Sequence, residues 1–290
     1  MIPFRRILFP VDYSENCRAV VPYIKDMVRH AHPDQGPAEL ILVHAYGPEA
    51  LAFSELAMAD PDLIPETEAI QEQQLHDFAS ELFPDQPVVR LTRSGEPGTV
   101  IHETVQHQSV DLVMLPTHGR GPVRRFLLGS VTSKVLHDVG AAVWTGAGSA
   151  FHGHAPAVPY KSILCALDGS PEAECVLRAA AAMADLYKAG LSLIRVIEPV
   201  PATEFDMQPY QQERIETAHF EVRELQGNLG TEFRCNIVEA PVADGVRREA
   251  LRLQADLIIT GRGHAQGVFT TLRSHLYQII RESPCPVLSV

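Results

Sequence analysis

The sequence holds no stretch that is apolar for the ~20 residues needed to cross a bilayer. Its apolar start, MIPFRRILFPV, meets Asp12 at once and lacks the form of a secretory leader. Positive charge is scarce: 24 Lys+Arg stand against 36 Asp+Glu, a net charge of −12. The deficit is shared, with 11 against 19 in residues 1–150 and 13 against 17 in 151–290. Neither half carries the basic footprint of a nucleic-acid-binding module. Cysteine is also sparse and odd in number: Cys17, Cys165, Cys175, Cys235 and Cys285, with no CxxC pair. These read as reduced thiols of a cytoplasmic chain, and no disulfide framework is expected. Several phosphate and catalytic signatures are missing as well. There is no GxxxxGK[ST], no GxGxxG and no nucleophile elbow GxSxG. The 13 histidines include no set on one predicted helix with a carboxylate partner, so no metal site is expected. His152 and His154 fall in a linker, and His102 and His107 are five apart, off one helical face.

What is present is written twice. RRILFPVDYSENCRAVVPYIKDMV (5–28) matches KSILCALDGSPEAECVLRAAAAMA (161–184), placing Asp12 over Asp168. VDLVMLPTHGRG (110–121) matches ADLIITGRGHAQ (255–266), placing Asp111 over Asp256. GSVTSKVLHDVGAAVWT (129–145) matches RSHLYQIIRESPCPVLS (273–289). The first copy carries extra residues, much of the excess in the irregular, acidic PEALAFSELAMADPDLIPE (48–66). Between the copies, TGAGSAFHGHAPAVPY (145–160) is rich in Gly, Ala and Pro and has no period. The expected organisation is a first domain over 1–146, a linker over 147–159 and a second domain over 160–290.

Each copy alternates short apolar runs with amphipathic segments. In the first, strands are predicted near 6–11, 40–45, 87–92, 111–115 and 141–145, and helices near 14–31, 66–82, 97–108 and 129–138. In the second, SILCAL, LSLIRVI, EFRCNIV, DLIITG and PVLSV read as strands. The runs are continuous rather than alternating, as in strands covered on both faces. The fold class is therefore α/β: two repeated doubly wound domains, each a mainly parallel five-stranded sheet with helices on both faces. Ligands of such sheets lie at the carboxyl ends of the strands, at the topological switch point.

Asp12 follows ILFPV directly and so sits at a strand end. Acidic residues at such positions hold ribose hydroxyls in other nucleotide folds. The plain alternative is that Asp12 caps the next helix, but Ser14 is the better N-cap and leaves Asp12 available. Asp168 and Ser170 repeat the pattern. The stretch PTHGRGPVRRFLLGSVT (116–132) leaves the fourth strand and re-enters a helix at Gly129-Ser130. N–H groups at a helix start are unpaired and carry partial positive charge, so residues 130–132 offer a phosphate site. The alternative is an ordinary helix start beside a solvated row of arginines.

Together these motifs resemble the universal stress protein family in its tandem, two-domain form. The carriers are ILFPVDYSE and ILCALDGSPE, ILVHAY, the loop pattern G-x2-G-x9-G-[S/T], and a terminal PVLxV strand. The first copy keeps Gly119, Gly129 and Ser130 and has Pro116 in place of the first glycine. The second has Thr260 for that glycine and Arg273 for the third, so its loop is expected to be degenerate. The counter-reading is that Arg262 and Arg273 pair with phosphate themselves. The resemblance implies an adenine nucleotide alpha hydrolase-like, Rossmann-like fold and an ATP site in the first domain. It places that site at Pro10, Val11, Asp12, Ala45, Leu115, Pro116, His118, Gly119, Gly129, Ser130, Val131 and Thr132. The weaker second-domain equivalents are Asp168, Val196, Gly263 and Ser274. ATP, with Mg²⁺ as a companion, is the implied cofactor. The implied role is regulation in a stress response, through an internal pseudo-dimer of the two copies and a homo-oligomer, with no nucleic acid and no membrane. No catalytic residue is expected, and ATP cleavage would be slow and incidental, since no base or metal carboxylates are arranged for phosphoryl transfer. The alternative function is a stress protein that has lost nucleotide and acts through protein partners or another small ligand. An adenylyltransferase or ATP pyrophosphatase is disfavoured, because LFPVDYSEN has neither a Ser-Gly-Gly loop nor paired histidines.

Overall fold

The structure is a computed structural model, and it describes residues 2–30, 36–47, 63–117, 128–146, 158–199, 208–262 and 270–290. The chain divides into two compact units, Pro3–Gly148 and Ser149–Val290.

In unit 1 the order is β1 (Arg6–Pro10), α1 (Glu15–His30), β2 (Glu39–Tyr46), α2 (Leu63–Leu82), β3 (Val88–Ser94), α3 (Pro97–His107), β4 (Leu112–Pro116), α4 (Ser130–Asp138) and β5 (Ala142–Gly146). Unit 2 repeats it with β6 (Ser162–Leu167), α5 (Ala173–Tyr187), β7 (Gly190–Ile197), α6 (Gln208–Leu229), β8 (Cys235–Glu239), α7 (Val242–Leu253), β9 (Leu257–Thr260), α8 (Thr270–Glu282) and β10 (Val287–Ser289). Within unit 1 the strands lie in the order β3-β2-β1-β4-β5, and within unit 2 in the order β8-β7-β6-β9-β10. The pairings within each unit are parallel. The expected strands and helices therefore form, with ends shifted by a few residues.

The order explains the apolar runs. β1 and β4 are central, so β4 is buried throughout and β1 in its middle three residues. The edge strands β3 and β8 are the exposed ones, and they are the least continuous in sequence. Right-handed crossovers put α1 and α2 on one face of unit 1 and α3 and α4 on the other. Phe9 of β1 is fully buried and packs on Phe78 of α2 and on Phe83, with ring centroids 6.5 Å away in each case. On α1, Tyr23 packs against the buried Trp144 of β5 at 5.2 Å.

The paired Asp111 and Asp256 have the same job. Asp111 accepts hydrogen bonds from the backbone N–H of Arg5 (2.7 Å) and Arg6 (3.1 Å), and Asp256 from those of Lys161 (2.8 Å) and Ser162 (3.1 Å). Each carboxylate ties the start of the fourth strand of its unit to the start of the first. The order turns around between those two strands, β1 and β4 or β6 and β9, and a crevice opens there at the carboxyl ends.

Candidate nucleotide-binding site

The site begins where β1 ends. Pro10 closes the strand, and the Val11 N–H donates to the Val43 carbonyl at 2.8 Å, carrying the chain one residue further along β2. Asp12 then turns the chain. Its Oδ1 accepts from the Ser14 N–H (3.0 Å) and the Ser14 hydroxyl (2.7 Å). The Ser14 Oγ in turn accepts from the Cys17 N–H at 3.1 Å, capping α1. Ser14 is the cap, as expected, but Asp12 is not wholly free: one oxygen builds the turn, and among the described residues Oδ2 alone is left open.

Between them Tyr13 takes φ +61°, a left-handed conformation that is costly for a bulky side chain. Packing holds it there. Its ring lies 4.6 Å from that of His44 and 5.3 Å from that of Phe78. His44 is buried on β2, with Nδ1 2.7 Å from the Val11 carbonyl and Nε2 3.1 Å from Gln71 Oε1 of α2. Since a carbonyl only accepts, Nδ1 carries a proton. Ala45 follows, half-buried and in register with Arg93 of β3. Beyond it, burial raises the Tyr46 hydroxyl, and Glu68 and Glu72 of α2 raise it further. The acidic side of α2 thus stands over the β2 end.

The other wall is β4 and α4. Leu115 and Pro116 are buried and pair with Thr145 and Gly146. The Thr117 N–H reaches the Gly146 carbonyl (3.2 Å), and the Gly129 N–H returns to the Thr117 carbonyl (3.0 Å). The chain therefore leaves β4 and comes back to the same point. His118 and Gly119 lie outside the described residues. Gly129 is the N-cap of α4 at φ −59°, ψ 146°, and no side chain caps the helix. The first helical bond runs from the Ser133 N–H to the Gly129 carbonyl (2.9 Å), so the N–H groups of Ser130, Val131 and Thr132 precede it. Ser130 is exposed and Val131 half-buried. Thr132 is buried, and its hydroxyl donates to the Pro116 carbonyl at 3.1 Å. Its side chain anchors α4 to β4, and what it offers a ligand is backbone.

At φ −59° any residue fits at Gly129, so the gain from glycine here is the missing side chain and the close approach it permits. The helix is held in place by Lys134, whose ammonium donates to Glu96 Oε2 at 2.6 Å. Glu96 also accepts from the Gly98 N–H (2.9 Å) and the Thr99 N–H (2.8 Å), capping α3. The Lys134 contact, then the N–H bonds, pull the Glu96 carboxyl down to about 2.

Unit 2 repeats the hydrogen bonds of the turn but not its backbone, since Gly169 does not share the positive φ of Tyr13. Asp168 Oδ1 accepts from the Ser170 N–H (3.1 Å) and hydroxyl (2.6 Å). Ser170, however, does not cap α5. Pro171 follows it, and the helix starts at Ala173 after Glu172. At the position of His44 stands Arg195, and Tyr13 is replaced by Gly169. A Cβ on Gly169 would stand 2.6 Å from Arg195 Nη2, so the glycine makes room for the guanidinium. Val196, the counterpart of Ala45, is buried. Arg262 is buried as well, and burial pulls its guanidinium down to about 10. Gly263 and the side chains of Arg273 and Ser274 lie outside the described residues.

The Universal stress protein family matches residues 3–145 and 159–290. This chain belongs to that family. It is a tandem universal stress protein, one family segment falling in each unit. A universal stress protein of Thermus aquaticus, described by its place in the QAH/OAS sulfhydrylase 3′ region, is 31% identical over 137 residues, covering 45% of this chain and 98% of its own. Solved structures match the full length. A universal stress protein from Archaeoglobus fulgidus superposes with a TM-score of 0.66 at 20% identity, covering 99% of this chain and 96% of its own. A functionally unknown protein from Pseudomonas aeruginosa gives 0.65 at 16%, covering 99% and 92%. At such identities these two speak for the fold alone.

Among the described residues of this universal stress protein, no three His, Cys, Asp or Glu gather as a metal site, and no helix is long and apolar enough to span a membrane. Burial raises the Cys17 and Cys285 thiols to about 12, which leaves both as protonated core residues. The sequence showed Asp12, Ala45 and Gly129. It did not show the Tyr13–His44–Gln71 cluster or the Lys134–Glu96 brace. The one available signal was the His/Arg exchange between LVHAY and LIRVI.

Proposed function

We propose that this tandem universal stress protein is a nucleotide-responsive regulator that binds ATP in unit 1. The observation that carries this reading is the pairing of two features across the β1/β4 crevice. One is the uncapped N-terminus of α4 at Gly129–Thr132; the other is the open Oδ2 of Asp12. An uncapped helix start favours anions, and a carboxylate across from it suits ribose hydroxyls. In this reading Pro10, Val11, Ala45 and Leu115 face the adenine end. Gly119, Gly129, Ser130 and Val131 take the phosphates, with His118 beside them. Asp12 spends one oxygen on Ser14, so it meets a hydrated Mg²⁺ only through water and forms no dedicated cage. Among the described residues no base and metal carboxylates are arranged for phosphoryl transfer, so in this reading turnover is slow and the bound nucleotide acts as a signal.

The test is calorimetric titration of ATP, preceded by identification of any nucleotide released on denaturation. One ATP per chain, lost in Gly129→Arg, is the expected result. A folded protein that takes no nucleotide would instead favour regulation through protein partners or another small ligand.

A further inference from the structure

The unit 2 counterpart of the nucleotide crevice, which holds Asp168 and Val196, is a cleft whose lining differs from that of unit 1 and which the proposed ATP site in unit 1 leaves free for another ligand. It holds about 250 Å³, below the ~300–1,000 Å³ of clefts that bury drug-sized ligands. Its apolar lining includes Ile194, Val196, Val242 and Ile279, and its polar lining includes Asp168, Arg195, Glu198, Arg214 and His275.

The two arginines are under-coordinated. Each guanidinium has five N–H donors. Arg195 donates from Nη1 to the Val196 carbonyl at 3.3 Å, and its nearest carboxylate, Glu221, is 3.8 Å from Nη2. Its Nε is buried with no hydrogen-bond partner among the described residues. Arg214 donates to the Glu198 backbone carbonyl at 3.0 Å, an uncharged acceptor. The Glu198 carboxylate is instead 3.3 Å from His275 Nε2. Among the described residues, therefore, two cations line one small cleft with no carboxylate in hydrogen-bond range of either guanidinium. Leaving a buried donor unmade is costly, and the guanidinium fork matches a planar or tetrahedral oxyanion. Across the cleft, Asp168 gives Oδ1 to Ser170, and among the described residues Oδ2 is left open. Unit 1 has no such pair, because His44 is satisfied by Val11 and Gln71.

We infer that the unit 2 cleft is a second ligand site, for a small organic anion with an apolar body and one hydroxyl or ammonium group. The anion pairs with Arg195 and Arg214, the donor group meets Asp168, and the apolar body lies on Val196, Val242 and Ile279. The anionic head is a carboxylate or a phosphate monoester, and the experiment separates the two.

The full chain is titrated by calorimetry with 2-hydroxy-4-methylpentanoate, 4-hydroxyphenyl phosphate and inorganic phosphate, with and without saturating ATP. One of the two organic anions is expected to bind once per chain, at least ~10-fold tighter than inorganic phosphate, ATP leaving its affinity unchanged. Arg214→Gln, on a half-exposed helix position, and Arg195→Gln should each weaken that binding by ~10-fold or more, as loss of a charge-assisted pair does. The winning probe assigns the head group. Binding of neither organic anion, equal binding of inorganic phosphate, displacement by ATP, or unchanged affinity in Arg214→Gln would each overturn the proposal.

Discussion

At the end of its second strand, unit 1 places a histidine and unit 2 an arginine. The neighbours change with them. His44 meets Tyr13, held at φ +61°, and Gln71. Arg195 meets Gly169, which has no side chain to obstruct it. The exchange is a matched pair, since a side chain at 169 would collide with the guanidinium, while the Tyr13 ring packs at a tilt against that of His44. One scaffold has thus been given a histidine packed against an aromatic ring in one copy and a guanidinium facing a cleft in the other. The Asp–Ser hydrogen bonds of the neighbouring turn recur in both copies, but its middle residue does not: Tyr13 takes a positive φ and Gly169 does not, so the backbone of the turn changes together with the strand-2 position.

The comparison is best broken first where the copies agree. Asp111→Ala and Asp256→Ala each remove two charge-assisted hydrogen bonds to the start of the first strand, worth together ~2–3 kcal/mol after water replaces part of them. Urea unfolding should show a similar loss for both. A loss in only one variant would mean that the two clamps are not equivalent.

Next comes Gly169→Tyr, which puts the unit 1 residue into unit 2. Its Cβ alone would sit 2.6 Å from Arg195 Nη2, so the arginine must move, at a cost of ~1–3 kcal/mol. The reciprocal Tyr13→Gly trades ring packing for relief of the positive φ and should change stability by less than ~1 kcal/mol. Equal effects of the two would argue against a matched exchange.

The smallest effect is expected from Glu96, whose counterpart, the Pro241 cap of α7, has no side-chain bond. The Glu96 carboxyl lies near 2 in the folded chain against 4.5 unperturbed. Its contribution is therefore present above pH ~4.5 and is lost as pH falls from there toward 2. The side chains of Glu96 and Lys134 are 52% and 39% exposed, so screening keeps the contribution below ~1 kcal/mol. Glu96→Gln should flatten the acid flank of the stability curve over that window, and added salt should shrink the difference.

Much of the fold was legible in the sequence because its signals are local. Buried parallel strands are written as apolar runs, and a repeat doubles each of them. Ser14 as a cap and Gly129-Ser130 as a helix start follow from neighbours within a few positions. The misses came from partners far apart in sequence or from a local turn. Gln71 reaches His44 from 27 positions away. Lys134 braces Glu96 across 38. Ser170 does not cap α5: its carbonyl accepts from the Ala173 N–H in a turn, and the helix starts only at Ala173. Arg262 is buried, which depends on packing rather than on any short motif.

The central claim is that the two copies divide their ligands, with nucleotide in unit 1. The most direct measurement is an ATP titration of wild type, Asp12→Asn and Asp168→Asn, since asparagine keeps the turn oxygen and removes only the charge. The account predicts one ATP per chain, weakened by ~10-fold or more in Asp12→Asn and unchanged in Asp168→Asn. Two ATP per chain, or binding sensitive to Asp168 and indifferent to Asp12, would contradict it.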